Sequence, residues 1–175
     1  AWALDHAATP MTAAPRRVID RHQSDALSSL IAYSTKISQN FYDEMFFKAM
    51  GRADDGVGSA ESGREAARSV LGSWGIPADA IVMYDGSGLS RYNYVTASLI
   101  TDVLRHVWQD DRLRGPFLAA LPVAGRDGTL ESRMRGTALE GEVQAKTGTI
   151  SNVRALSGFL TTTSGRKLAF SMIAN

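Results

Sequence analysis

The chain has 175 residues, enough for one domain, and its 44% hydrophobic and 21% charged residues are an ordinary globular composition. Nineteen Lys and Arg against eighteen Asp and Glu leave a formal charge of +1, so no basic field exists to gather nucleic acid, and no nucleic-acid partner is expected. The absence of cysteine removes disulfides, thiolate zinc sites and a cysteine nucleophile together, which fits an extracytoplasmic protein without demanding one.

Residues 1–23 are Ala-rich and carry Pro10, Pro15 and the basic pair Arg16-Arg17 without a clean period, and they read as the tail of an upstream region. No basic start followed by an apolar run is visible, so no signal peptide is read in the chain. From Ser24, a candidate N-cap, a helix carries Leu27, Leu30, Ile31 and Ser34, with Asp25 in the first turn where the helix dipole favours an acid. It delivers the chain to Ser38. Asn40 to Met50 reads as the next helix, with Phe41, Met45, Phe46 and Ala49 as its core face and Gly51 as its stop. After an Asp- and Gly-rich loop at 52–59, Ser62-Gly63-Arg64-Glu65 fits a capping box. The helix it opens has Ala66, Ala67, Val70, Leu71 and Trp74 on one face and closes at Gly75 and Pro77. Ala80 to Tyr84 reads as a short strand running into Asp85-Gly86-Ser87-Gly88, a turn without the spacing of a nucleotide loop. Thr96 to Trp108 carries the strongest helical period in the chain, through Leu99, Ile100, Val103, Leu104, Val107 and Trp108. Gly115-Pro116 opens a short helix through Leu121, and Pro122 stops it.

Beyond the turn Gly125-Arg126-Asp127-Gly128, to which no single chemistry is assigned, the pattern becomes β. Residues 142–150, 154–162 and 167–173 read as three strands, joined near Ser151-Asn152 and by Thr163-Ser164-Gly165-Arg166, an antiparallel meander. Helices followed by a sheet imply an α+β domain with the helices packed on the sheet. The first of these strands holds Lys146-Thr147-Gly148-Thr149. An ammonium, two hydroxyls and a glycine that admits another backbone suit a grip on an anionic peptide end, and at a sheet edge a substrate could pair along them. Taken alone, the same residues are a strand with one solvated lysine. His6, His22 and His106 lie far apart with no ligand spacing, so no metal and no cofactor is expected.

Ser38-Gln39-Asn40 is the partner that alters this reading. Lys-Thr-Gly, a Ser-x-Asn element and a Ser-x-x-Lys nucleophile form the set used by penicillin-binding proteins and class A β-lactamases. With the segments 38–45, 85–90 and 121–130 in the same order, the chain from about Ser24 onward resembles one family. These are the low-molecular-mass class C penicillin-binding proteins of the penicillin-binding protein 4 type, serine D-alanyl-D-alanine carboxypeptidases and endopeptidases of bacterial cell walls. The resemblance implies a β-lactamase/transpeptidase-like fold, with residues 24–175 forming the C-terminal part of the domain and both ends incomplete. It further implies acyl transfer on peptidoglycan stem peptides ending in D-Ala-D-Ala, binding of β-lactam antibiotics, and a periplasmic or otherwise extracytoplasmic bacterial location.

By the same resemblance Lys146, Ser38 and Asn40 are catalytic: Lys146 is the second of two lysines that face the nucleophilic serine, Ser38 bridges the two lysines and relays a proton toward the leaving amine, and Asn40 fixes the substrate amide. Thr147, Gly148 and Thr149 bind the substrate's carboxylate end, and Thr149 N–H is an oxyanion donor. Arg91 is a candidate for an acidic stem-peptide side chain. Each has a plainer reading, Ser38 as a helix end, Asn40 as a cap, Arg91 and Tyr92 as a solvated pair. The alternative function is a catalytically inactive module that keeps only the wall-peptide or penicillin grip. The one Ser-x-x-Lys in the chain, Ser164-Gly165-Arg166-Lys167, falls in a turn between strands and downstream of Lys-Thr-Gly. It is read as a chance match, and the nucleophile is expected in a missing N-terminal part of the same protein.

Overall fold

A computed structural model describes residues 18–175, so His6, Pro10, Pro15 and Arg16-Arg17 lie outside the described residues. Among the described residues five helices come first: α1 (Leu27–Ile37), α2 (Asn40–Asp55), α3 (Ala60–Ser73), α4 (Ala97–Gln109) and α5 (Asp111–Ala120). A single 3-10 turn (Gly128–Leu130) leads to β1 (Val143–Ile150), β2 (Val153–Thr161) and β3 (Lys167–Ala174). The strands form an antiparallel sheet in the order β1-β2-β3. Their limits match the expected ones to within a residue or so, because both links carry turn chemistry. Asn152 sits at φ 64° in the first and Gly165 at φ 78° in the second, and these left-handed residues let the chain reverse within the natural twist of the strands. No helix among the described residues is long and apolar enough to cross a membrane.

The helix limits depart from expectation for reasons that lie in the caps. Ser24 does not cap α1, which starts at Leu27 after an uncapped Ala26. The cap of α3 is Ser59, not Ser62: the Ser59 hydroxyl accepts from Ser62 N at 3.0 Å, and Ser62 is buried as the third helical residue. Asp110 caps α5 by accepting from Arg112 N, so that helix begins before Gly115 and carries Pro116 inside it. The expected strand at Ala80–Tyr84 reduces to one bridge, Val82 to Tyr94.

Gly51 does not stop α2, which continues to Asp55 and ends at Gly56 with φ 83°. A Cβ on Gly51 would come within 2.5 Å of Gly63 N, and one on Gly63 within 2.3 Å of Phe47 O. The two glycines are the point at which α2 and α3 cross with their backbones touching.

Two small cores hold these layers together. Leu104 of α4, Leu121 and Phe159 of β2 form one, with Trp108 and Phe117 against the Phe159 ring at 5.4 and 6.4 Å between centroids. Ala124, Leu130, Val143 and Ala145 form the other, beneath β1. Helix α4 therefore lies on β2 and β3, while α1 rests on α5.

β1 is an edge strand, and only its first half is covered. Ala124 N donates to Val143 O and Ala145 N to Pro122 O, both at 2.9 Å. Beyond Ala145 no main-chain partner adjoins that side of the strand among the described residues. Since backbone groups alternate between the two sides of a strand, Thr147 and Thr149 point theirs toward the open edge, as Val143 and Ala145 do toward the covered part.

Candidate active site

The open half of β1 faces the junction between α1 and α2. α1 ends at Ser38, whose backbone turns left-handed at φ 60°, and α2 restarts at Asn40 after Gln39. The end of α1 is fixed from the far side of the chain. Lys36 Nζ donates to Asp127 Oδ2 at 2.6 Å and to Leu121 O at 2.8 Å, and Asp127 Oδ1 accepts from Val123 N at 2.8 Å. Gly128 adjoins at φ 56°, where a Cβ would sit 2.5 Å from Lys36 O. The 125–128 turn, without an assigned chemistry in the sequence, is thus a clamp that draws α1 against the segment covering β1.

The clamp sets Ser38 beside Lys146. Lys146 Nζ donates to Ser38 Oγ at 2.6 Å, joining residues 108 apart in the chain, and also to Thr147 O at 2.8 Å. Burial pushes the Lys146 ammonium below the usual lysine range, while the Asp43 carboxylate pulls in the opposite direction. A half-buried lysine bonded to a serine hydroxyl can pass a proton along that bond. Lys146 is therefore less exposed than the solvated strand lysine of the plain reading.

These groups line a cleft of about 600 Å³. Ser38, Asn40 and Asp43 line it from α1–α2, and Lys146, Thr147, Gly148, Thr149 and Ile150 from β1; Ser87, Gly88, Leu89, Thr129 and Arg133 complete the lining. The Thr147 hydroxyl donates to Thr129 Oγ1 at 2.9 Å, which ties the strand to the 3-10 turn. Thr149 is exposed at the open edge.

The 85–90 loop is rigid by its own bonding. One carboxylate, Asp85, accepts from Ser87 Oγ, Gly88 N, Ser90 N and Asn93 Nδ2 at 2.7 to 3.1 Å. Partial burial works against the Asp85 anion, but these bonds outweigh it and hold the pKa below the usual carboxylate range. The loop docks on α2 through Glu44, which accepts from Gly86 N at 2.8 Å. Leu89 reaches the cleft wall, whereas Arg91 stands exposed two residues further on and outside the lining.

Ser164 and Lys167 do not form a pair: the Ser164 hydroxyl bonds Thr162 at 3.0 Å, and Lys167 Nζ turns to Thr161 at 2.7 Å and Gln144 at 3.4 Å. Sequence reasoning missed Asp43, Thr129, Arg133 and the Lys36–Asp127 clamp. Asp43, Asp127 and Thr129 fall within the segments 38–45 and 121–130 that carry the resemblance, but no role is assigned to them there; Asp43 has the further signal of an acid in the first turn of α2, which is also what a helix dipole favours.

A lysine–serine pair at the open edge of an antiparallel sheet, with threonines beside it and helices behind, is similar to the arrangement of penicillin-recognising serine enzymes. The D-Ala-D-Ala carboxypeptidase 3 (S13) family matches over residues 4–175, and the chain belongs to that family. A D-alanyl-D-alanine carboxypeptidase from Actinomadura sp. (strain R39) is 40% identical over 163 residues, which is 90% of this chain and 30% of that protein. The crystal structure of penicillin binding protein 4 from Haemophilus influenzae superposes with a TM-score of 0.81 at 32% identity, covering 87% of this chain and 34% of that one. A structure of the same Haemophilus protein in complex with a β-lactam matches with the same TM-score at 33% identity, covering 87% of this chain and 36% of that one. The chain spans about a third of the length of these relatives. The likeness bears out the expected α+β, transpeptidase-like fold.

Proposed function

We propose that this chain carries one part of the active site of a serine-type D-alanyl-D-alanine carboxypeptidase/endopeptidase that works through an acyl-enzyme, with the nucleophilic serine supplied by sequence outside these 175 residues. The observation that carries the reading is the 2.6 Å bond from Lys146 to Ser38 at the open edge of β1. In this reading the lysine of a Ser-x-x-Lys motif takes the proton of that motif's serine as the serine attacks the carbonyl between two D-alanines, and the last D-alanine leaves. Lys146 and Ser38 pass a proton to its departing amine, and water resolves the ester. Thr147 and Thr149 hold the terminal carboxylate beside the Lys146 ammonium, while Asn40 meets the substrate amide. Thr149 N–H, on the open side of β1, serves in this reading as an oxyanion donor, a contribution of about 3–4 kcal/mol to the barrier in comparable sites. The substrate is a peptidoglycan stem peptide, a β-lactam is its mimic, and the location is extracytoplasmic.

The test is acylation of the full-length protein by a fluorescent penicillin, followed by intact-mass spectrometry. We expect a covalent adduct in the parent protein and none in Lys146→Ala, with the fold retained. An adduct formed at the parental rate by Lys146→Ala would remove the lysine from the mechanism. A parent protein that binds penicillin reversibly, with no covalent adduct, would favour a non-catalytic binding module.

A further inference from the structure

One carboxylate in the cleft has no part in the reaction as derived above. Asp43 lies on α2 three residues beyond Asn40, on the same helix face, and lines the cleft with Ser38, Asn40 and Lys146. Its Oδ1 is held at 2.5 Å by the hydroxyl of Ser34, a side chain with 0% exposure, and no hydrogen bond from a described residue engages its Oδ2. The Ser34 oxygen also lies 3.2 Å from Gln39 O, so the same buried hydroxyl spans the turn that presents Ser38. The acid is therefore aimed by the structure and is more than a solvated charge on a helix.

Other charges near this wall are committed elsewhere or stand apart. Lys36 is bonded to Asp127, Glu44 to Gly86 N and Lys48, and Asp85 to its own loop. Arg133, from the segment between the 3-10 turn and β1, is the remaining charged residue of the lining besides Asp43 and Lys146. An anion on α2 thus faces a cation on β1 across a cleft open to water, and it favours the ammonium form of Lys146 against the burial that disfavours it.

We propose that Asp43 is a positioning residue that sets the charge of Lys146: anchored by buried Ser34, its carboxylate fixes the pH at which the Lys146–Ser38 pair releases a proton. The kinetic consequence rests on the acyl-transfer reading; the charge relation itself does not. The sign follows directly. Removing an anion makes the ammonium less favourable, so Lys146 loses its proton at lower pH, and because the relay uses the ammonium as its proton donor, the alkaline limb of acylation moves down with it. Above that limb Asp43→Asn should acylate roughly threefold more slowly than the parent, as suits an opposite charge screened by water, with no loss on the plateau.

The experiment is an NMR titration of 13Cε-labelled lysines in the full-length protein, with the Lys146 signal assigned through Lys146→Arg, beside the pH profile of acylation by fluorescent penicillin. Asp43→Asn keeps an acceptor for Ser34 and should shift the Lys146 titration to lower pH; Asp43→Glu keeps the charge and should leave it near the parental position. Should Asp43→Asn not fold, Asp43→Ser makes the same comparison. A lower melting temperature with an unmoved Lys146 titration makes Asp43 a mere tie between α1 and α2 and overturns the proposal, as does Asp43→Glu shifting like Asp43→Asn. A parent protein that forms no adduct counts against the acyl-transfer reading, and the NMR titration still decides the charge relation.

Discussion

Lys36→Met in the full-length protein separates the clamp from the chemistry. The substitution keeps the length of the stem and removes the ammonium, so Asp127 Oδ2 and Leu121 O lose their partner while Asp127 Oδ1 keeps Val123 N. A hydrogen bond to a charged group contributes roughly 1.5–3 kcal/mol. The Asp127 side chain is 43% exposed, so its share falls to about 1 kcal/mol through screening. The carbonyl of Leu121, on a residue only 2% exposed, adds about 1–2 kcal/mol when left without its donor. We expect a loss of about 2–3 kcal/mol in urea unfolding, provided the transition stays two-state. Because Lys36 lies two residues before Ser38, release of the clamp also lets the serine drift. Misplacement of about 1 Å in a reacting constellation costs on the order of 100-fold, so acylation by fluorescent penicillin should slow by roughly 10- to 100-fold. A destabilised variant that acylates at the parental rate would refute the claim that the clamp positions Ser38. Unchanged stability would show that the bonds contribute nothing net.

Ser38→Ala and Asn40→Ala should each slow acylation, and the double variant should lose less than the sum of the two, because residues that act as a unit are not additive; stopped-flow acylation measures it. Arg91→Ala should weaken turnover of peptides with a free acidic group on the third residue more than of simple acyl-D-Ala-D-Ala, through the charge-assisted fork an Arg offers a carboxylate. Equal losses on both substrates would leave Arg91, which is exposed and outside the cleft lining, with no part in specificity. The 175-residue chain alone should form no penicillin adduct by intact-mass spectrometry. An adduct mapped to Ser164 would contradict the structure, in which Lys167 turns away from that serine.

The sheet was legible because strand and turn chemistry are local: alternation in Val143–Ile150 and left-handed Asn152 and Gly165 fix a register without reference to the rest of the chain. Helix starts were less so, since several polar residues compete for each cap. Ser59 and Ser62 are both competent, and only the fold buries one of them. Gly51 was misread for a related reason: in sequence, a glycine that ends a helix and a glycine that lets two helices touch look alike. In the site, Ser38, Asn40, Lys146 and Thr147 to Thr149 could be named from short motifs, and the structure brings all six to one cleft. Asp43, Arg133 and the Lys36–Asp127 pair could not, because their meaning lies in contacts between distant segments. Lys36 and Asp127 are 91 residues apart.

Ser38 sits in a backbone conformation that glycine, and to a lesser degree asparagine, occupies at lower cost. A left-handed turn on an ordinary side chain forfeits on the order of 1 kcal/mol, as it does also at Met134 with φ 62°, and at position 38 the hydroxyl can return a reward that folding does not supply. On the acyl-transfer reading that reward is turnover, and it is invisible to any screen that scores folding. A library of this protein selected for heat resistance alone would be expected to enrich Gly at position 38 and to record it as an improvement. The resulting population would be sturdier and inert, so thermostabilisation of this scaffold requires position 38 to be held fixed or activity to be scored alongside survival.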